Sequence, residues 1–381
     1  MVAFVLRDDE NFTLAWIVQP NTLMGVYCEM KALILAGGFG TRLRPLTCSR
    51  PKQLLPLAAT TLIGHILNQL HDSGISEIII ATGFGGADLK EQLVEKTSSN
   101  MTIHFSVEPH PLGTAGAIKH AEPLLLNEPT FLVLNGDIVS DIGYTQLIRF
   151  HRQHNATATL GLVRVDDPSR FGVVELTKDG RILSFVEKPA PGRSPSNLIN
   201  AGCYVLDAAV LDAIPPHQEV SIEHEIFPKL CQSTRVYVCV HSGFWIDTGT
   251  PAAFIKAHQV LLAGTPLIGE QTLIAPSAQI GSDVSIGNRV QIGPKTQIFN
   301  SVIFDEVIVE EGVTIDQSII GQGAHIGANL RLEGLVIVGD HAHLEAGALI
   351  PKGAIVCPGC QVKTGETPPR CLVRGYKSLT V

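Results

Sequence analysis

The stretch Leu35-Ala36-Gly37-Gly38-Phe39-Gly40-Thr41-Arg42-Leu43-Arg44-Pro45, with Arg50-Pro51-Lys52 shortly after it, puts glycines and cations side by side. Glycines that follow a strand leave backbone N–H groups free to approach phosphate oxygens. A dinucleotide-binding fingerprint would need a third glycine where Leu43 stands, and a Walker loop would need Gly-Lys-Ser/Thr where the chain has Gly40-Thr41-Arg42. What the residue types do suit is a polyphosphate carried as a metal complex and met by Arg42, Arg44 and Lys52. Taken singly, other polar residues read plainly: Asp137 as a helix N-cap, Asp247 as a turn residue before Thr248-Gly249, and Lys188 as a surface lysine at a strand-ending turn with Pro189.

The elements that would position them alternate from Met30 to about Leu262. Ala32-Leu33-Ile34-Leu35-Ala36, Ile78-Ile79-Ile80 and Phe131-Leu132-Val133-Leu134 read as buried strands. Leu62, Ile63, Ile66, Leu67 and Leu70 share a helical face with Gly74 at a C-cap position, and residues 86–96 read as an amphipathic helix. Such alternation predicts an α/β domain over residues 30–262 with a mostly parallel, doubly wound, Rossmann-like sheet. Ligands of such sheets bind at the carboxyl ends of the strands, which is where Gly37, Gly38 and Asp137 fall. Asp141 reads as a helix cap, and His151 with His154 as an exposed helix face.

The last third follows a different beat. Ile274, Ile280, Ile286, Ile292 and Ile298 recur at every sixth residue; the phase slips to Ile303, Val309 and Ile315, then again to Ile320, Ile326, Leu332, Val338, Leu344, Ile350 and Val356. Neither a helical nor a strand period explains this. A triangular coil does, with the aliphatic residue on the axis and a small residue at the corner. The expectation is a left-handed parallel β-helix of hexapeptide repeats over residues 263–360, followed by a tail over 361–381. Residues 1–29 lack clear periodicity and read as an N-terminal extension or start-site artefact, with a regulatory or packing arm as the rival reading.

Composition narrows the class. A net charge of -8 with no basic stripe argues against nucleic acid as a partner. No apolar run approaches the ~20 residues of a membrane span, and the short apolar start runs into Arg7-Asp8-Asp9-Glu10 rather than a signal-peptide core. The eight cysteines look like reduced thiols of a cytoplasmic protein, with Cys357-Pro358-Gly359-Cys360 read as a plain turn.

The glycine-rich stretch, read on through Pro45-Leu46-Thr47 to Pro51-Lys52, resembles the signature of the nucleotide-sugar pyrophosphorylases, and the resemblance runs from about Met30 to the end. Within that family it is most similar to the mannose-1-phosphate guanylyltransferase branch, where the same catalytic domain precedes a hexapeptide β-helix. Leu112-Gly113-Thr114-Ala115-Gly116, Leu134-Asn135-Gly136-Asp137, Phe171-Gly172-Val173-Val174, Phe185-Val186-Glu187-Lys188-Pro189, Asn200-Ala201-Gly202 and Phe244-Trp245-Ile246-Asp247-Thr248-Gly249 match its further motifs in order.

The resemblance implies a reaction of a nucleoside triphosphate with a sugar 1-phosphate to give a nucleotide-sugar and pyrophosphate. It implies nucleotide contacts at Leu35, Ala36, Gly37, Gly38, Glu108, Gly113, Thr114, Asn135 and Gly136. It further implies sugar contacts at Gly172, Glu187 and Asn200, catalytic cations at Arg42, Lys52 and Lys188, and Mg²⁺ held by Asp137 and Asp247. A homo-oligomer built through the β-helix is expected.

Glu108 stands where uridylyl and thymidylyl relatives usually carry Gln. A carboxylate only accepts hydrogen bonds, and guanine offers N1–H and its 2-amino group side by side, so Glu108 favours guanine and GDP-mannose as product. Lys52-Gln53-Leu54-Leu55-Pro56 pulls the other way, resembling glucose-1-phosphate thymidylyltransferases. Three alternatives stay open: a thymidylyl or uridylyl specificity with glucose 1-phosphate, a non-catalytic regulatory nucleotide-sugar binder, and a second acyl-transfer activity at His325, His341 or His343.

Overall fold

The computed structural model describes the backbone of residues 4–8 and 11–15, then residues 30–83, 86, 89–91, 93, 101–176, 182–190, 192–233 and 235–369. Two units emerge from the contacts: Met1–Gly38 with His65–Trp245, and Phe39–Gly64 with Ile246–Val381.

The first unit is built on a nine-stranded sheet. Its strands are β1 (Ala32–Leu35), β2 (Glu77–Thr82), β3 (Thr102–Val107), β4 (Thr130–Asn135), β5 (Ala158–Arg164), β6 (Gly172–Leu176), β7 (Ile182–Glu187), β8 (Leu198–Asp207) and β9 (Val236–His241). The expected parallel core is β4-β1-β2-β3. Continuous apolar runs mark it: Leu33, Ile34, Ile79, Ile80, Leu132 and Val133 are all fully buried, as a strand covered on both faces requires. The long strand β8 runs antiparallel to β4, β5 and β6, so the sheet is mixed beyond the core.

Helices α1 (Leu62–Asp72), α2 (Gly113–His120) and α3 (Tyr144–Gln153) follow along the chain, with α1 running from the arm of the second unit into the first. Gly74, at φ 77°, ends α1 as its position predicts, with its N–H on His71 O and the Ile75 N–H on Leu70 O. Two smaller expectations are corrected. His151 is buried, its Nδ1 3.0 Å from Thr159 Oγ1, because α3 turns that position onto β5. Asp141 is no cap: Gly143 occupies the N-cap of α3, while Asp141 Oδ1 lies 2.6 Å from His241 Nε2. Of the helix expected over 86–96, residues 86, 89–91 and 93 are helical and the others lie outside the described residues. Phe4–Asp8 and Asn11–Ala15 pair as an antiparallel hairpin that periodicity did not announce, and the rest of 1–29 is outside the described residues.

The second unit contains the coil. Strands of two or three residues stack in parallel into three sheets, consistent with a left-handed β-helix. Register sets Ile286 beside Ile303, and then Ile320 and Val338, in one column. Ile292, Val309, Ile326 and Leu344 form a second column, and Ile298, Ile315 and Leu332 a third. At both slips of the beat the corner is one residue shorter, and Asn300 (φ 47°) and Gln317 (φ 49°) make the tight turn. The coil's last paired strand is Gln361–Val362, just inside the expected tail; residues 370–381 lie outside the described residues. Cys357 is disulfide-bonded, which corrects the expectation of reduced thiols at that position, whereas Cys360 is free.

Helix α4 (Phe227–Ser233) belongs to the first unit and α5 (Pro251–Leu262) to the second. The Thr250 side chain caps α5 and Pro251 stands at its first turn. The Phe39–Gly64 arm is wound into 3₁₀ turns at Thr41–Leu43, Leu46–Cys48 and Lys52–Leu54, and buries Leu43, Leu46, Leu54, Leu55 and Leu57. His258 on α5 accepts the Ala58 N–H at Nδ1 and donates from Nε2 to Pro56 O, both at 3.2 Å, which sets a neutral ring. No described helix is long and apolar enough to cross a membrane.

Candidate active site

In the first unit the expected nucleotide residues converge at the carboxyl ends of the parallel strands. Leu35 ends β1 and pairs in register with Asn135 at the end of β4. The Ala36 N–H reaches Ala81 O at 2.7 Å, and the Gly136 N–H reaches Leu35 O at 2.9 Å. Gly136 has no room for a side chain, since a methyl there would stand 2.8 Å from Leu35 O. Gly37 and Gly38 follow with exposed backbone, and a methyl on Gly37 would stand 3.2 Å from Glu108 Oε1. Glu108 lies just past β3, buried, with Oε2 accepting the Leu112 N–H at 2.9 Å. Burial raises its carboxyl pKa, and the Leu112 N–H offsets part of that rise.

Gly113 and Thr114 open α2. Gly113 takes φ 70°, and a methyl there would stand 2.6 Å from Val220 O, so only glycine fits. Thr114 Oγ1 donates to Glu223 Oε2 at 2.8 Å and accepts the Ile222 N–H at 2.8 Å. Glu223 is a residue that motif reading missed. It also receives Ser221 Oγ at 2.9 Å and the Tyr204 hydroxyl at 3.4 Å, and Tyr204 in turn accepts Asn200 Nδ2 at 2.5 Å. A polar chain thus links Thr114 of the expected nucleotide loop to Asn200 of the expected sugar motif. Ser221, which accepts the His224 N–H while its own N–H reaches Glu225, signals only a helix start in sequence.

The sugar-motif residues lie together across β6, β7 and β8. Gly172 pairs with Glu187, and Val173 with Ile199. Trp245 pins this corner, donating from Nε1 to Ala201 O at 2.9 Å and meeting Phe171 edge-on at 5.3 Å. Lys188 donates its N–H to Phe171 O at 2.9 Å and holds φ 47°, a strained backbone for a residue with a side chain. Asn135 Nδ2 lies against Gly202, where a methyl would stand 2.5 Å away. Asn135 Oδ1 is buried without a hydrogen-bond partner, the kind of acceptor a bound ligand would satisfy. Asp137 follows at the end of the same β4 strand, partly exposed.

In the second unit, Arg42, Lys52 and Asp247 are grouped around glycines. A methyl on Gly249 would stand 2.5 Å from Arg42 Nη2 and 2.8 Å from Asp247 Oδ1, so the Asp247-Thr248-Gly249 turn lets the guanidinium approach. Asp247 Oδ1 accepts the Gly249 N–H at 2.8 Å. Gly40, at φ 59°, seats against the stem of Lys52, and Lys52 is buried. Thr47 Oγ1 closes this turn on Gly40 O at 2.9 Å.

The described residues hold no cluster of three or more His, Cys, Asp or Glu able to enclose a metal.

Residues 31–264 match the family model for nucleotidyl transferases, and residues 262–371 match that for the GMPPB C-terminal domain. The chain is 38% identical to mannose-1-phosphate guanylyltransferase of Mycobacterium tuberculosis over 85% of this chain and 84% of that protein. It is 36% identical to mannose-1-phosphate guanylyltransferase catalytic subunit beta of Drosophila pseudoobscura pseudoobscura, over 88% of this chain and 96% of that one. Among solved structures, HddC of Yersinia pseudotuberculosis complexed with GMP-PN is 29% identical with a TM-score of 0.52, covering 60% of this chain and 97% of HddC.

Proposed function

Because the chain belongs to the nucleotidyl transferase family, we propose that it transfers a guanylyl group from GTP to mannose 1-phosphate, giving GDP-mannose and pyrophosphate. The observation that carries the guanine reading is Glu108, a buried acceptor at a strand end beside Gly37. Its carboxylate suits the paired N1–H and amino donors of guanine. Mannose enters through the names of the relatives.

In this reading an oxygen of the sugar phosphate attacks the α-phosphorus in line. The bond to the bridging oxygen of pyrophosphate breaks, and the electron pair leaves with it. Positioning and charge neutralisation supply the rate. The backbone from Leu35 to Gly38, with Gly113, Thr114, Asn135 and Gly136, holds the nucleotide. Arg42 balances charge on the leaving pyrophosphate, Lys52 the phosphates near the attack, and Lys188 the sugar phosphate. Gly172, Glu187 and Asn200 meet the sugar. Asp137 and Asp247, hard oxygen donors, are the carboxylates we assign to Mg²⁺, which when bound would neutralise phosphate charge.

The reaction belongs in the cytoplasm. Exposed Leu273 and Ile308, which lie on one face of the coil, support self-association there.

Pyrophosphate release over a grid of nucleoside triphosphates and sugar 1-phosphates with Mg²⁺ tests the proposal. Fastest turnover with GTP and mannose 1-phosphate is expected. Faster turnover with dTTP and glucose 1-phosphate would favour the reading that Gln53, also buried, supports, and no turnover with any pair would remove the enzyme reading.

A further inference from the structure

The coil's corners carry a repeated device. Asn288 Oδ1 accepts the Glu270 N–H, Asp305 Oδ1 accepts the Asn288 N–H, and Asp340 Oδ1 accepts the Gln322 N–H, at 2.8, 2.9 and 2.8 Å. In each, one side-chain oxygen caps the rung below it. A neutral Asn does this as well as an Asp, so the cap needs no charge. The second oxygen of Asp305 stays within the coil, 3.4 Å from Asn288 Nδ2. That of Asp340 does not. Asp340 Oδ2 receives Arg50 Nη2 at 2.8 Å and also Ser49 Oγ, both from the arm that carries the glycine-rich signature. Arg50 Nη2 lies in addition 2.8 Å from Gln322 Oε1, and its guanidinium stacks over Phe304 at 5.8 Å.

Asp340 is only 2% exposed. A carboxylate so buried is costly unless paired and fully hydrogen-bonded, and removing either partner leaves an uncompensated charge. Arg50 is two residues before Lys52, and Lys52 packs against Gly40 at the start of the signature turns. We infer that Asp340 is a positioning residue for nucleotidyl transfer: its second oxygen anchors Ser49 and Arg50 so that the following turn holds Lys52 in place, making the coil a working support of the signature arm. This rests on the proposed roles of Lys52 and Arg42, but the anchoring itself can be read without activity.

The discriminating variant is Asp340→Asn in the full chain, which keeps the cap as Asn288 does and loses the anchor. Two readouts are taken. Hydrogen exchange should quicken at least tenfold in amides of residues 46–55, while rungs built on Ile303 and Ile320 keep wild-type protection. The kcat on the best substrate pair should fall about tenfold or more, with the KM for sugar 1-phosphate within about twofold, since the sugar motifs are on other strands. Arg50→Gln should give the same pattern, and the double variant should be no slower than the worse single one. Unchanged exchange in 46–55 overturns the anchor. Quickened exchange with unchanged kcat overturns the positioning role. Loss of protection throughout the coil would show that Asp340 serves coil stability instead. A wild-type chain without turnover on any pair would defeat the functional reading while exchange still decides the anchor.

Discussion

The sheet unit and the coil bury aliphatic side chains by opposite rules. In the sheet, Leu33 and Val133 are packed with residues as distant in sequence as Val236, in one shared core. In the coil, Ile298 meets Ile280 one rung before it and Ile315 one rung after it. The sheet ends its strands in motifs, and its polar residues gather there. The coil repeats its corners, and its polar residues cap the next rung. In the proposed site, chemistry therefore concentrates where the pattern breaks, at strand ends and in the arm, and the coil contributes where one of its caps has an oxygen to spare.

Substitutions can break that contrast. The largest expected effect compares two aspartates. Asp137→Ala should lower kcat about a thousandfold with little change in Tm, while Asp305→Ala, at a coil corner, should leave the rate within about twofold. Equal rates for the two variants would remove Asp137 from the site.

Next come the two cores. Leu132→Ala and Ile315→Ala should each cost about 3 kcal/mol, both side chains being fully buried. Hydrogen exchange should show the first loosening the whole sheet and the second only neighbouring rungs; a uniform loss in the coil would count against its one-dimensional character.

Acid should reach the sheet unit through His151. Burial lowers its pKa to about 4 from the usual 6.5. The folded state then binds fewer protons than the unfolded one between those values, so stability is full above pH 6.5 and falls as pH drops toward 4. The total is about 3 kcal/mol. His151→Gln should flatten that part of the denaturation profile, and a parallel profile would assign the acid sensitivity elsewhere.

The smallest effect sharpens the base assignment. Glu108→Gln should reduce the preference for GTP over other triphosphates about tenfold, as expected for a lost charged acceptor. Because burial raises the Glu108 pKa, the KM for GTP should rise on the acid side above the ordinary glutamate range. A preference unmoved by the substitution would take Glu108 out of base recognition.

Sequence alone determined the parallel core, the coil and the glycine-rich signature, since each is written in neighbours: apolar runs, a six-residue beat, and glycines before cations. Its misreadings have one cause. From sequence His151 reads as exposed because a helix face cannot reveal which element will cover it, and Thr159 covers it. Motifs do not mark Glu223, because its partner Thr114 is 109 residues away, nor Asp340, because Arg50 is 290 residues away. Pairing across such distances leaves no local period or spacing. Periodicity reports which way a side chain points from its own element, whereas tertiary structure decides what waits there. The coil was the most legible region, yet the partner of Asp340's second oxygen was settled only by folding.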